Sequence, residues 1–133
     1  MSLEDNKTIV RRFLEEALTQ GNCGIIDTSF APHFVFHSYG TPPHNRASFK
    51  ELTQQFHKAL AGHSLNIDDL VAEGDKVAVR YSYEADTHHG HFGKNPPTGQ
   101  PLRLEVTTFC HFERGKVAEA WGYYEGADFD LSP

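Results

Sequence analysis

Hydrophobic residues recur at the three-and-four spacing of an amphipathic helix in two stretches of this sequence. In residues 3–20 the stripe consists of Ile9, Val10, Phe13, Leu14, Ala17 and Leu18. In residues 46–60 it consists of Phe49, Leu52, Phe56, Ala59 and Leu60. These patterns predict two long helices, with a Ser2–Asp5 capping box before the first and Gly21 at its end. Residues 23–30 suit a shorter helix.

The rest of the chain alternates with the period of two that is typical of strands. The predicted strands cover residues 33–38, 65–72, 76–87, 102–113 and 116–125. The turn at residues 73–75 and the Arg114–Gly115 turn join neighbouring strands as hairpins. Helices come first and antiparallel strands last, which predicts an α+β fold: a cone-shaped, curved antiparallel sheet with N-terminal helices over its concave face. We expect residues 1–133 to form one domain.

The alternation also assigns the faces of the strands. Even positions of residues 102–113 are mostly apolar, so this face should turn toward the helices. If the Gly115 turn keeps simple pairing, the same face of the last strand carries Ala118, Ala120, Gly122 and Tyr124. Small side chains there have two interpretations, a close approach of helix backbones or an open cavity of ligand size. In residues 65–72 the same rule places Asp69 and Val71 beside Leu65 and Ile67.

The opposite face of the last strand is amphipathic and aromatic. It carries Val117, Glu119, Trp121, Tyr123 and Glu125, with Phe109 on the neighbouring strand. A partly apolar outer sheet surface often marks a contact between copies. We therefore expect a homodimer through this outer face.

Charge narrows the range of partners. The net charge is −6 and no run of Lys or Arg is present, whereas nucleic acids and anionic membranes both require a basic surface. The N-terminus lacks the features of a signal peptide, and no stretch is apolar enough to span a membrane. We expect a cytoplasmic protein with reduced Cys23 and Cys110, and a small organic molecule as its ligand.

The cluster His88, His89 and His91 raises the question of a metal site, since imidazole is a common zinc ligand. Alternate residues of a strand or loop point apart, and no cysteine or carboxylate completes a recognised spacing. No metal site is therefore predicted. The same cluster contains a candidate base, because a neutral imidazole accepts protons near pH 7.

Several fragments in this order resemble the SnoaL-like polyketide cyclase family of the nuclear-transport-factor-2-like superfamily. They are "NKTIVRRFLEEALTQG", "FAPHFVFH", "DDLVAEGDKVAVRYSY", "HHGHFGKNPPTG" and "FERGKVAEAW". The resemblance implies a deep apolar pocket between helices and sheet, and dimers packed through the outer sheet faces. It also implies cofactor-free ring closure by aldol condensation in members of known activity, so no cofactor is expected.

The family resemblance places the base of the cyclases at an aspartate directly after the position of Trp121, where this chain has Gly122. The supporting polar positions of the family align with Phe36, Val106 and Thr108, of which only Thr108 is polar. Glu125 matches an acidic position of the family, but its parity places it on the outer face. Exposure is the ordinary state of such a glutamate.

Histidines offer a substitute base. By resemblance, His88 aligns with a family histidine entering the "PPTG" loop and His37 with one at the end of the first strand, and both are expected at the pocket mouth. The alternative is a structural role at the rim, donating to a loop carbonyl. If the protein is an enzyme, His88 or His37 would move the proton and Tyr124 or Thr108 would steady the oxyanion.

The sequence therefore predicts a pocket protein for a small hydrophobic, cyclic or polyketide-like molecule. The predicted lining consists of Phe36, Val106, Thr108, Ala120, Gly122 and Tyr124. Cofactor-free cyclase or isomerase chemistry is one interpretation. A non-catalytic ligand-binding or dimeric scaffold domain that lacks the family base is the other.

Overall fold

The computed structural model describes residues 2–38 and 40–133. Its helical segments are α1 (Leu3–Arg12), a π-helical continuation of α1 (Phe13–Thr19), α2 (Gly24–Ser29) and α3 (Arg46–Ala59). The capping box is confirmed, because the Asp5 backbone N–H donates to the Ser2 hydroxyl and the Asp5 carboxylate accepts from the Ser2 backbone. Asn45 and Ser48 form a second such box at the start of α3.

The described residues form eight strands, and the five predicted strands are among them in the predicted order. They are β1 (Phe30–Ser38), β2 (His44–Asn45), β3 (Leu60–Ala61), β4 (Ser64–Glu73), β5 (Lys76–Ala85), β6 (Thr87–His88), β7 (Leu102–Glu113) and β8 (Lys116–Glu125). The predicted bounds of β7 and β8 match those observed, and β1 begins three residues earlier than predicted. The short strands β2, β3 and β6 were not predicted.

Six strands form one sheet in the order β2-β1-β8-β7-β5-β4, and β3 pairs with β6 beside it. The pairings among β4, β5, β7 and β8 are antiparallel, as expected of consecutive hairpins. β1 runs parallel to β8, because the chain reaches the sheet edge from α2 rather than through a hairpin. The predicted α+β fold, with N-terminal helices over a curved sheet, is confirmed.

Helices and sheet share one hydrophobic core. α1 contacts β4 and β5, and α3 contacts β1. On β5 the inward side chains Val77, Val79, Tyr81 and Tyr83 are all buried. This alternation gives the sheet an apolar inner face and a polar outer face. Among the residues that the structure describes, no helix is both long enough and apolar enough to cross a membrane.

Two β-bulges change the predicted faces. In β4 the register shifts between Ile67 and Asp69, so Asp69 pairs with Arg80 on the outer face and Val71 is 60% exposed. The prediction that Asp69 and Val71 share a face with Ile67 is therefore wrong. In β8 the two-residue turn pairs Phe112 with Val117, so Val117 points inward. A second shift, between His111 and Phe112, then pairs Cys110 with Ala120, so the even residues of β8 share the inward face only beyond this bulge.

Candidate functional site

A cavity of about 160 Å³ lies between the helices and the inner face of the sheet. Its wall is overwhelmingly apolar and is dominated by phenylalanine. The phenylalanines that line it are Phe13, Phe30, Phe34, Phe36, Phe49, Phe56, Phe92 and Phe129. Five of these rings form one cluster around Phe49, which lies 4.8 Å from Phe36 and 5.2 Å from Phe34 between ring centroids. Phe92 contacts Phe56 and Phe129 in a second group of rings.

The structure places all the residues predicted to line the pocket at this cavity. They are Phe36, Val106, Thr108, Ala120, Gly122 and Tyr124. Three cross-strand pairs bring the β7 and β8 members together, since Val106 pairs with Tyr124, Thr108 with Gly122 and Cys110 with Ala120. The inward face of this hairpin therefore forms part of the cavity floor.

The space above Gly122 is occupied by the side chain of Phe36. A Cβ atom built on Gly122 would lie 3.0 Å from the Cε1 and Cζ atoms of Phe36. The Thr108 hydroxyl oxygen would lie 4.0 Å away. The Phe36 ring thus covers the backbone at the position where the family resemblance implies the catalytic aspartate. Phe36 stands where the resemblance implies a polar residue, and Gly122 stands where it implies a carboxylate.

The polar atoms at the cavity wall are hydroxyls and one thiol. Thr53 donates its hydroxyl to the Phe49 carbonyl at 2.9 Å, and Tyr124 donates to the Phe129 carbonyl. The other two hydroxyls belong to Thr108 on β7, opposite Gly122, and to Tyr81 on β5, the next strand. These two groups are the ones suited to meet a polar atom of a ligand.

Burial keeps the acidic groups of the cavity protonated. It raises the pKa of Tyr81 far above its ordinary value, with the nearby Cys110 thiol adding to the shift and a hydrogen bond with Thr108 opposing it. Burial also raises the pKa of Cys110 to about 12. Cys110 forms no disulfide and neither does Cys23, in agreement with the predicted reduced thiols. At neutral pH the cavity therefore offers hydrogen-bond donors but no thiolate nucleophile.

The described residues that line this cavity include no Asp, Glu, His, Lys or Arg, and so no side chain of a kind that commonly serves as a catalytic base. A threonine hydroxyl or a protonated phenol cannot accept a proton efficiently near pH 7.

His88 lies next to the cavity and does not line it. Its side chain is 1% exposed. The Phe92 ring lies 5.4 Å from it and the Phe129 ring 6.1 Å from it, both between centroids. Neither ring nitrogen has a hydrogen-bond partner in the part of the chain that the structure describes. The predicted position at the pocket mouth is corrected: pairing of β6 with β3 turns the imidazole into the interior.

His37 lies on the outer face of the sheet. Its Nε2 atom donates to the Glu119 carboxylate at 2.6 Å, and its ring stacks on Trp121 with centroids 5.3 Å apart. The prediction that His37 lines the pocket mouth is wrong, because β1 alternates and Phe36 occupies the inward position. An imidazole on this face has no access to a ligand in the cavity.

Glu125 is exposed at the end of β8, where it pairs with Glu105. It borders a surface groove that shares Val106, Gly122 and Tyr124 with the cavity, and it does not line the cavity itself. Of the histidine cluster, His88 is buried while His89 and His91 are exposed. Within the described residues, no group of three or more metal-binding side chains converges.

Tyr81 lines the cavity and was not among the residues predicted to do so, although the alternation of β5 places it on the inner face. Phe129 and Leu131 also border the cavity. They lie in the C-terminal tail, where no periodicity signals a buried residue.

Comparison with known proteins places these features in a family. The chain matches the model of the SnoaL-like polyketide cyclase family over residues 8–129. Among solved structures, the candidate hydroxylase AclR of Streptomyces galilaeus is 27% identical with a TM-score of 0.78, over 93% of this chain and 91% of that one. A candidate polyketide cyclase of Acidithiobacillus ferrooxidans is 25% identical with a TM-score of 0.75, over 94% and 92%. No curated protein matches the chain by sequence.

A third structure shows how far the fold persists without sequence similarity. A candidate SnoaL-like polyketide cyclase of Jannaschia is only 18% identical, yet its TM-score is 0.80 over 92% of this chain and 86% of that one. The family match itself spans both the helices and the whole sheet. This chain therefore belongs to the SnoaL-like polyketide cyclase family, within the nuclear-transport-factor-2-like superfamily.

Proposed function

We propose that this protein binds a small, largely apolar ring compound in the cavity without catalysing acid–base chemistry on it. The observation that carries the proposal is the cavity wall, which combines aromatic rings with two available hydroxyls and no ionised group among its described residues. Apolar pockets with a few placed polar groups are the usual form of small-molecule sites. The family supplies the pocket architecture, and Gly122 with Phe36 replaces its proton acceptor.

The size and chemistry of the cavity define the ligand class. A volume of about 160 Å³ is close to that of an engineered cavity of roughly 150 Å³ that binds benzene in another protein. A single ring with one hydroxyl or carbonyl oxygen fits this space. Tyr81 or Thr108 would hydrogen-bond that oxygen, while the phenylalanine rings would contact the rest of the molecule.

Binding of toluene and phenol tests the proposal. Both compounds are expected to raise the melting temperature of the wild-type protein, because a ligand that binds only the folded state stabilises it. Tyr81→Phe should weaken phenol binding about fivefold, the equivalent of about 1 kcal/mol for one hydrogen bond, and leave toluene binding unchanged. Isothermal titration calorimetry measures both.

Two further variants make this experiment specific. Ala120→Leu fills the cavity and should abolish binding of both compounds, whereas Ala78→Leu adds the same volume on the outer face of β5 and should not. Tyr123→Phe removes an exposed tyrosine hydroxyl and serves as the control for Tyr81→Phe. Binding that survives Ala120→Leu would place the ligand elsewhere and contradict the proposal.

The outer sheet face supports a second proposal, a homodimer. Phe109 and Tyr123 are 40% and 53% exposed on this face, and the Trp121 ring lies 6.1 Å from that of Phe109. Charged pairs flank these aromatic residues, including Arg103 with Glu105 at 2.8 Å. An apolar centre with a polar rim is the usual organisation of an interface.

Sedimentation velocity tests the dimer. The wild-type protein is expected to sediment as a dimer at micromolar concentration and Phe109→Glu as a monomer, because a buried unpaired charge opposes association. Leu3→Glu is the matched control, since Leu3 is 43% exposed on α1 and far from this face in the fold. A monomeric wild-type protein, or a dimer that persists in Phe109→Glu, would rule out this interface.

A further inference from the structure

The C-terminal tail, residues 126–133, covers one end of the cavity. It leaves β8 at Gly126 and contains neither helix nor strand. Two of its side chains, Phe129 and Leu131, nevertheless line the cavity. A segment without its own backbone pairing therefore supplies part of the apolar wall.

Polar side chains from other elements hold this tail in place. The Asn95 amide donates to the Asp130 carbonyl and accepts from the Asp130 backbone N–H, each at 2.8 Å. The His44 ring donates to the Leu131 carbonyl. Asn95 and His44 are only 7% and 3% exposed. The attachment thus depends on a few hydrogen bonds, which water can replace when the tail moves away.

Gly126 sets the direction in which the tail leaves the sheet. Its φ angle is +117°, in the region that favours glycine. A Cβ atom built there would lie 2.2 Å from the Arg103 carbonyl oxygen. Glycine alone can make this turn, so the tail is directed back over the cavity.

The tail also covers His88. The Phe129 ring meets the imidazole edge to face, at 88° between ring planes, and packs against Phe92 with centroids 4.8 Å apart. Both nitrogens of His88 are buried beneath these rings without a hydrogen-bond partner among the described residues. A buried polar side chain normally has such a partner, so the unpaired imidazole requires an explanation.

We propose that Phe129 occupies the place of a ligand ring, and that an aromatic ligand larger than one ring, carrying a hydroxyl or carbonyl oxygen, displaces it and hydrogen-bonds to His88. The inference rests on the proposed function, since it assigns a second ligand class to the same cavity. A cavity of about 160 Å³ admits one ring, whereas pockets for larger organic molecules occupy roughly 300–1,000 Å³. Displacing the tail supplies the additional room and exposes a hydrogen-bonding group within it.

Titration of phenol and 2-anthrol into the variants tests the displacement. Phe129→Ala removes the covering ring and should raise the affinity for 2-anthrol relative to phenol about tenfold, because less of the protein remains in the closed state. Adding His88→Phe to this variant should cancel the gain for 2-anthrol but not for anthracene, which has no hydroxyl. Val71→Ala, which truncates an exposed apolar side chain on β4, should leave the affinity ratio unchanged.

The wild-type protein provides a measurement that needs no variant. Saturating 2-anthrol is expected to shift the ¹⁵N resonances of the His88 ring, and saturating phenol is not. Unchanged His88 resonances with bound 2-anthrol, or an affinity ratio unaffected by Phe129→Ala, would overturn the displacement while phenol binding persists. Absence of binding by phenol, toluene and 2-anthrol alike would instead overturn the proposed function on which it rests.

Discussion

Replacing Phe49 with alanine is expected to lower the free energy of unfolding by about 3–5 kcal/mol. Phe49 is 8% exposed on α3, and its ring packs against those of Phe13, Phe30, Phe34 and Phe36. Removing the ring takes away the contacts that join α3 to β1 and to the π-helical segment. It also enlarges a cavity that already exists, so the surrounding side chains cannot collapse onto the vacated space.

Apolar ligands should restore part of this loss. Urea denaturation with and without saturating toluene measures both the loss and its recovery, since a ligand specific for the folded state adds to its stability. Val71→Ala on the edge strand β4 is the control, because Val71 is 60% exposed and its truncation should change stability by less than about 0.5 kcal/mol. A Phe49→Ala protein that is equally unstable with and without toluene would contradict a ligand-accessible cavity beside α3.

The fold could be predicted largely because each element has a clear period. The bounds of β7 and β8 follow from alternation and a two-residue turn. The bulges at Asp68 and Ala118 could not be predicted, because a bulge depends on how two strands pair and leaves no mark on the spacing of one strand. The parallel pairing of β1 with β8 could not be predicted either, because it joins segments far apart in sequence.

The same distinction applies to the candidate site: positions within one strand could be predicted, whereas contacts between distant segments could not. Ala120 and Gly122 lie on the inward face, as predicted, but only because the bulge shifts their pairing with β7 by one residue, which the sequence did not reveal. For His88, resemblance fixed the position in the sequence but not the depth of the side chain, which depends on pairing of β6 with β3. The burial of Phe129 could not be predicted, because the tail is held by hydrogen bonds to side chains distant in sequence.

Phe36 and Gly122 occupy the two neighbouring positions where the family resemblance implies a polar residue and a carboxylate base. A carboxylate at position 122 would need room and a polar neighbour. The Phe36 ring takes the room, and it replaces the polar group that resemblance implies at its own position. Changing only one of the two positions to the residue type that the resemblance implies would therefore not supply a working base.

Gly122→Asp is accordingly expected to lower the free energy of unfolding at pH 7 by about 3–5 kcal/mol, the usual cost of an uncompensated buried charge. Gly122→Ala should cost less, because it adds the contact with Phe36 but no charge. Burial favours the neutral acid, so the loss in Gly122→Asp should shrink between pH 7 and pH 4 when each variant is compared with wild type at the same pH. The loss in Gly122→Ala should not change over this range.

Phe36→Ala provides the remaining step, since it removes the ring that lies 3.0 Å from the position of the new Cβ. In a double-mutant cycle, Gly122→Asp and Phe36→Ala should together cost about 1–2 kcal/mol less than the sum of the single variants, because the carboxyl group gains space and approaches the Thr108 hydroxyl. Denaturant unfolding of the four proteins measures this coupling. If Gly122→Asp unfolded at the same urea concentration as wild type at pH 7, the cavity would accept a charge at position 122, and acid–base catalysis would return as a function open to this fold.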